Sequence, residues 1–315
     1  TSVMPNYNGV WSLTTQYQYA ADWSADNVSP AAAIANGIAI ISNSSGLQTF
    51  SVATAGNSTD FGDFSYQRGK GGGFGSTTRG IVGGGSGDAI VNVIDFITFT
   101  TAGDATDFGN LTVAREEVTA HSSSTRGLVA GGDTGSKSNV VDYVTISSAG
   151  NATDFGNLAA ANTSPSGAGS SVRMLVGGGL ENSATNRIQY FTIGSTGDAT
   201  DFGDLSSTRQ QGDALSNATR TVFTGGYNSN VLEFVTTDTT GNVTDFGDLS
   251  AATRRLASTS NATRGVIGGG DSAGLRSSIE FITIASAGNS ADFGNLLAIT
   301  DSCNSGFSSA HGGLQ

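Results

Sequence analysis

Three patterns in this 315-residue chain combine residue types and spacings that could do chemistry. The first is Asp-Phe-Gly, which occurs six times, starting at Asp60, Asp107, Asp154, Asp201, Asp245 and Asp292. That tripeptide holds magnesium in phosphoryl transfer only when a catalytic loop and a strand lysine accompany it. The chain has just two lysines, Lys70 and Lys137, so six copies without those partners read as structure. The second pattern is the run Arg68-Gly-Lys-Gly-Gly-Gly-Phe-Gly-Ser-Thr77, which invites a phosphate-cradling reading. It lacks the Gly-Lys-Ser/Thr ending that places a lysine on the phosphates, and strand-end glycine explains it better. The third is the acidic turn, as in Gly103-Asp-Ala-Thr-Asp-Phe-Gly109 and Gly197-Asp-Ala-Thr-Asp-Phe-Gly203. Calcium takes six or more oxygens, and two carboxylates per turn fall short. No cofactor is therefore expected, with calcium the sole alternative.

The remaining chemistry is thin. His121 and His311 are the only histidines and Cys303 is the only cysteine. Two histidines cannot form a three-His zinc site, and one cysteine can form neither an intrachain disulfide nor a Cys-based zinc site. No catalytic residue and no metal site are expected. Net charge is −12, from 26 acidic and 14 basic residues. A nucleic-acid partner is not expected, because phosphate-backbone affinity needs clustered cations. The longest apolar stretch, Ala31 to Ile41, is too short to cross a bilayer of about 30 Å, so membrane insertion is not expected either.

What must position these residues is a repeat. The Asp-Phe-Gly copies are separated by 47, 47, 47, 44 and 47 residues. Nineteen residues after an Asp stands an Arg (Arg79, Arg126, Arg173, Arg220, Arg264) that opens an apolar run ending in paired glycines. Eleven residues before the Asp stands an aromatic: Phe96, Tyr143, Tyr190, Phe234 or Phe281. Short β-branched runs bounded by Gly, Ser, Asn and Asp read as strands. The unit starting at Thr112 is expected to hold strand A from Glu116 to Ser123, B from Gly127 to Gly131, C from Val140 to Ile146 and D from Thr153 to Leu158. Four short strands in about 45 residues make one β-propeller blade. The 46 glycines then punctuate a rigid all-β fold.

The whole chain, 1–315, reads as one propeller domain. Trp11 lies 11 residues before Asp22-Trp23, which makes 1–28 strands C and D of a closing blade, or alternatively an arm. Residues 29–296 carry six repeats of about 47 residues. His311 lies 19 residues past Asp292, so 297–315 reads as strands A and B of the closing blade, with His311 in the place of a repeat Arg. The expected total is seven four-stranded blades, the last closed by N- and C-terminal strands, with six as the alternative. Within each unit Asp is expected to cap the C–D turn. Phe61, Phe108, Phe155, Phe202, Phe246 and Phe293 are expected to fill the space between blades, and the five Arg to make equivalent contacts, with the repeat Asp as partner.

An apolar strand ending in Gly-Gly, then an aromatic on the next strand, then an aromatic closing the unit, as in Leu128-Val-Ala-Gly-Gly132, Tyr143 and Phe155, resembles the kelch family of β-propellers. Phe stands where that family usually has Trp. Thr263-Arg-Gly-Val-Ile-Gly-Gly269, Ile279-Glu-Phe-Ile-Thr-Ile-Ala-Ser-Ala-Gly-Asn289 and the opening Tyr7-Asn-Gly-Val-Trp-Ser-Leu13 are similar to kelch-like proteins of tailed bacteriophages, notably marine and cyanobacterial ones. The resemblance implies a non-enzymatic virion structural or adhesion protein, as fibre, tail or capsid decoration, located on the virion surface or outside the cell. Its implied partners are other virion proteins and host-surface glycan, with a homo-oligomer as a further option. The alternatives are a secreted or cell-surface bacterial lectin-like propeller and a glycan-degrading propeller enzyme. Variation concentrates in the B–C loops, which gather on one face of a propeller, and loops on a rigid scaffold are where binding is usually carried. Lys137, Glu181, Arg187, Tyr227, Asp271 and Arg276 are the expected binding residues.

Overall fold

The computed structural model describes residues 37–43, 46–297 and 303–315. These residues form six four-stranded antiparallel sheets arranged as a β-propeller. Blade 3 shows how the repeat folds. Its strands A to D are Thr119–Ser122, Arg126–Ala130, Val140–Thr145 and Thr153–Asn157, each within a few residues of its expected place. Strand A is buried along its whole length, and strand D exposes its first two residues. Burial thus falls from the axis outward, as expected when sheets pack radially.

Strands A of successive blades, Gly72–Gly75, Thr119–Ser122, Ser166–Gly169, Asp213–Ser216, Ala257–Ser260 and Cys303–Ser308, pack on one another in a closed ring around the axis. Serines at their ends stitch the ring. Ser122 Oγ donates to the Gly75 carbonyl (2.7 Å) and Ser216 Oγ to that of Gly169 (2.6 Å). Ser260 Oγ donates to the Ser216 carbonyl (2.6 Å).

The ring closes with six blades, which corrects the expectation of seven. In blade 1, Cys303–Ser308 pairs with Ile38–Asn43, followed by Gly46–Ser51 and Thr59–Gly62. The carboxyl end therefore supplies one strand, not two. Strand B of that blade already exists, so the residues after Ser308 have no free edge to pair with. They turn across the axis, and His311 caps a short 3-10 turn at Gly312–Leu314 instead of opening a strand. The expected amino-terminal strands C and D, in 1–28, lie outside the described residues.

Blades are joined by apolar packing and by a clip. Phe155 of blade 3 meets Tyr143 of its own blade and Phe191 of blade 4 edge-on, with centroids 5.9 and 5.8 Å apart, in a cluster that includes Leu128, Val141, Met174 and Val176. The Phe of each Asp-Phe-Gly is buried as anticipated. At Gly109, φ is +149 and a Cβ would sit 2.4 Å from the Gly150 carbonyl oxygen, so the next blade's turn can approach only a glycine. That turn then donates from Gly150 N–H to Phe108 O and from Ala152 N–H to Asn110 O (2.7 and 2.8 Å).

The repeat Asp does not cap this turn. Its six copies are exposed, and the capping oxygen belongs to the residue three positions earlier. Asp104, Asn151, Asp198, Asn242, Asn289 and Asn57 each accept the backbone N–H of the preceding blade's strand D, or of the residue just after it, at 2.9–3.0 Å. The repeat Arg does not seek the Asp either. Arg79, Arg126, Arg173, Arg220 and Arg264 stack 4.5–4.9 Å from the strand-C aromatic of their own blade. Four of them donate to a carbonyl of the next blade, as Arg126 does to Ile193 O (3.0 Å). Stacking and carbonyl donation use the whole planar fork, which a lone carboxylate on the exposed edge would not.

Candidate binding site at the axial mouth

B–C loops and D–A loops share one end of the propeller, and A–B and C–D turns share the other. Of the six side chains expected to bind on the first face, four are engaged in ion pairs within the protein. Arg276 reaches inward to Thr253 Oγ1 (3.0 Å) and Glu280 (3.0 Å). There it takes the place of an arginine that other blades supply before strand A: Arg68 on Asp95 (2.8 Å), Arg115 on Asp142 (2.9 Å) and Arg209 on Glu233, all buried. Asp271 is held by Arg254 at 2.7 Å, and Glu181 lies 3.6 Å from Arg187, its ion-pair partner. Lys137 and Tyr227 remain exposed.

A different set rings the axis. Lys70, Glu117, Ser164, Gln211 and Arg255 sit just before strand A in blades 2 to 6, spaced 47, 47, 47 and 44 residues apart. All five have left-handed backbone, with φ of 59, 54, 52, 61 and 53°. The last four N–H groups each donate to the carbonyl of the counterpart one blade back, from Glu117 to Lys70 (2.8 Å) round to Arg255 to Gln211 (2.7 Å). That ladder fixes the backbone and turns five different side chains toward one opening. Variation in loop length, the signal that marks the B–C loops in the sequence, does not mark these positions. The available signal was a constant position with changing chemistry.

The opening is lined by these five residues together with Val118, Thr119, Pro165 and Asp213, and its cavity is about 70 Å³. Drug-sized ligands need about 300 Å³ or more, so this one admits an edge or a small polar group. Charge is distributed unevenly around it. Lys70 Nζ is taken up by Glu116 (2.9 Å) and Glu117 (3.5 Å). Burial pushes the Glu117 carboxyl up, but hydrogen bonds from Ser164 and Thr163 and the Lys70 charge outweigh it and hold it below the usual range.

The blade 5 and 6 sector is less satisfied. Gln211 Oε1 is shielded and accepts no hydrogen bond from the protein. Arg255 makes no contact ion pair or side-chain hydrogen bond among the described residues, and its charge acts from a distance, helping to hold the Glu117 and Asp271 carboxyls low. Burial pushes Asp213 up to about 7, against hydrogen bonds from the N–H groups of Ala214 (2.8 Å) and Ser258 (2.6 Å). Beside this sector Tyr227 donates its N–H to Gln210 O (2.9 Å), leaves its ring 49% exposed and lies 5.2 Å from the Arg254 guanidinium.

No protein-family model matches this chain, and no curated protein matches it. Function must therefore be argued from the site itself.

A larger opening of about 670 Å³ lies between blades 1 and 2, where Thr49 stands in the place of the strand-C aromatic. Its described lining has no charged side chain. The opposite end of the axis is filled by the carboxyl-terminal turn. His311 stands 5.4 Å from His121, edge to face, with its Nε2 3.1 Å from Gly75 O. Among the described residues no helix is long and apolar enough to cross a membrane, and no group of three or more His, Cys, Asp or Glu could hold a metal.

Proposed function

We propose that this chain is a non-enzymatic binding module, a structural or adhesion component of a tailed-phage particle, and that it presents the D–A and B–C face to its partner. The observation that carries the binding reading is the ring of side chains at the axial mouth. Left-handed backbone costs a residue with a Cβ about 1–2 kcal/mol, and only glycine escapes that cost. A chain with 46 glycines nevertheless keeps Lys, Glu, Ser, Gln and Arg at five such positions. Strain retained at one mouth, with a different side chain in each blade, supports a recognition role for these residues. The phage assignment rests on the repeat resemblance, and the partner class is host-surface glycan or another virion protein.

Two measurements test this reading. Mass spectrometry of purified particles from the source should find the chain among the structural proteins. Labelled protein should bind host cells or isolated tail and capsid proteins, and Gln211→Ala with Arg255→Ala should weaken that binding about tenfold, the scale of a lost charge-assisted contact. Ser148→Ala, on the opposite face, should leave it unchanged. A chain absent from particles, or binding that ignores the mouth substitutions, would overturn the proposal.

A further inference from the structure

The polar groups at the mouth specify what would complete them. Arg255 offers donors, Gln211 Oε1 needs a donor, and the Asp213 carboxyl, which already holds the N–H groups of Ala214 and Ser258, has lone pairs left to accept; all three lie on adjacent blades at one opening. A simple anion would suit Arg255 but would face Asp213 and Glu117. A simple cation would suit Asp213 but would face Arg255 and Lys70. Neighbouring hydroxyls satisfy both kinds of group, because each hydroxyl is one donor and two acceptors. Tyr227 adds a half-exposed ring beside the same sector, held by the pairing of Arg254 with Asp271.

We propose that the blade 5 and 6 sector of the axial mouth binds the hydroxyl edge of a neutral terminal pyranose, with Arg255, Asp213 and Gln211 on ring hydroxyls and Tyr227 against the sugar's C–H face. This rests on the binding reading above and names its ligand class. The cavity of about 70 Å³ takes the edge of one ring and leaves the rest of the glycan outside, so recognition is of a chain end. The net charge of −12 disfavours acidic polysaccharide and favours a neutral sugar.

The test uses the full chain and four probes: the methyl glycosides of glucose, mannose, galactose and N-acetylglucosamine. Saturation-transfer NMR should show at least one of them receiving magnetisation at its ring-edge protons. Affinity should fall about tenfold or more in Arg255→Ala and in Tyr227→Ala, the loss expected when a charged hydrogen bond or an aromatic platform is removed. Arg255→Lys should recover part of it, and Ser148→Ala should match the parent. Thermal melts of each variant establish that the ring is intact. No transfer to any of the four sugars, or transfer insensitive to Arg255→Ala and Tyr227→Ala, overturns the ligand assignment. If the protein still sits in particles and adheres to cells in that case, the binding-module reading stands without it.

Discussion

Two buried histidines and one partly buried carboxyl pull stability in opposite directions with pH. Burial lowers His121 to about 3 and His311 to about 4, helped for His121 by the His311 charge, against 6.5 for a free imidazole. The unfolded chain therefore binds up to two protons that the folded chain refuses as pH falls below 6.5. Asp213 behaves inversely: at about 7, against 3.8, the folded chain keeps a proton that the unfolded chain has lost. From about pH 4.5 to 6.5 the net difference is about one proton, so stability should rise with pH by up to about 1.4 kcal/mol per unit. Asp213→Asn removes the opposing group and should roughly double that slope. Denaturant titrations at several pH values measure it, and an unchanged or shallower slope in Asp213→Asn would mean that its carboxyl ionises normally in the folded chain. None of this was legible in sequence, because burial of His311 depends on where the carboxyl end crosses the axis.

The blade is the element whose design the sequence revealed best. The spacings of Arg, aromatic and Asp-Phe-Gly located all four strands, since strand-forming runs and turn residues are local signals. The partners of those residues were less readable. Arg126 stacks on Tyr143 and bonds Ile193 O, while Asn151 and not Asp154 clips the blades. Asp95, Asp142, Gln189, Glu233 and Glu280, one residue before each strand-C aromatic, accept N–H groups from the preceding blade, and this repeated position went unnoticed. Such contacts join residues 27 or 30 apart across a blade boundary, where linear periodicity carries no sign of who meets whom. The left-handed D–A position gives the prediction at this scale. Gln211→Gly should stabilise the fold by about 1 kcal/mol, because it relieves the αL cost and removes a shielded, unpaired amide oxygen. The same change should weaken partner binding. A denaturant midpoint that falls would show that the side chain serves the fold, against the reading of the mouth as a recognition site.

At the scale of the whole molecule, closure decides the blade number. Trp11, Asp22 and His311 fall at repeat-like intervals, and intervals alone suggested half-blades at both ends. Pairing geometry overrules spacing: Ile38–Asn43 already provides strand B of blade 1, so the carboxyl end is needed only for strand A. That strand also packs between Ala257–Ser260 and Gly72–Gly75, so it closes the blade and the ring together. Cutting the chain after Leu297 would remove it, leaving one sheet edge unpaired and a gap in the inner ring. Exposed edges template pairing with other chains. The truncated protein should lose its cooperative melt and self-associate on size-exclusion chromatography, whereas removing a dispensable tail would leave both unchanged. A peptide of residues 298–315 added in trans should restore the melt, because the missing element is a strand with a defined register on Ile38–Asn43. Ser42→Pro would remove an N–H at the centre of that pairing, so a peptide that rescues this variant equally well would show that the carboxyl-terminal strand acts elsewhere than at the blade 1 edge.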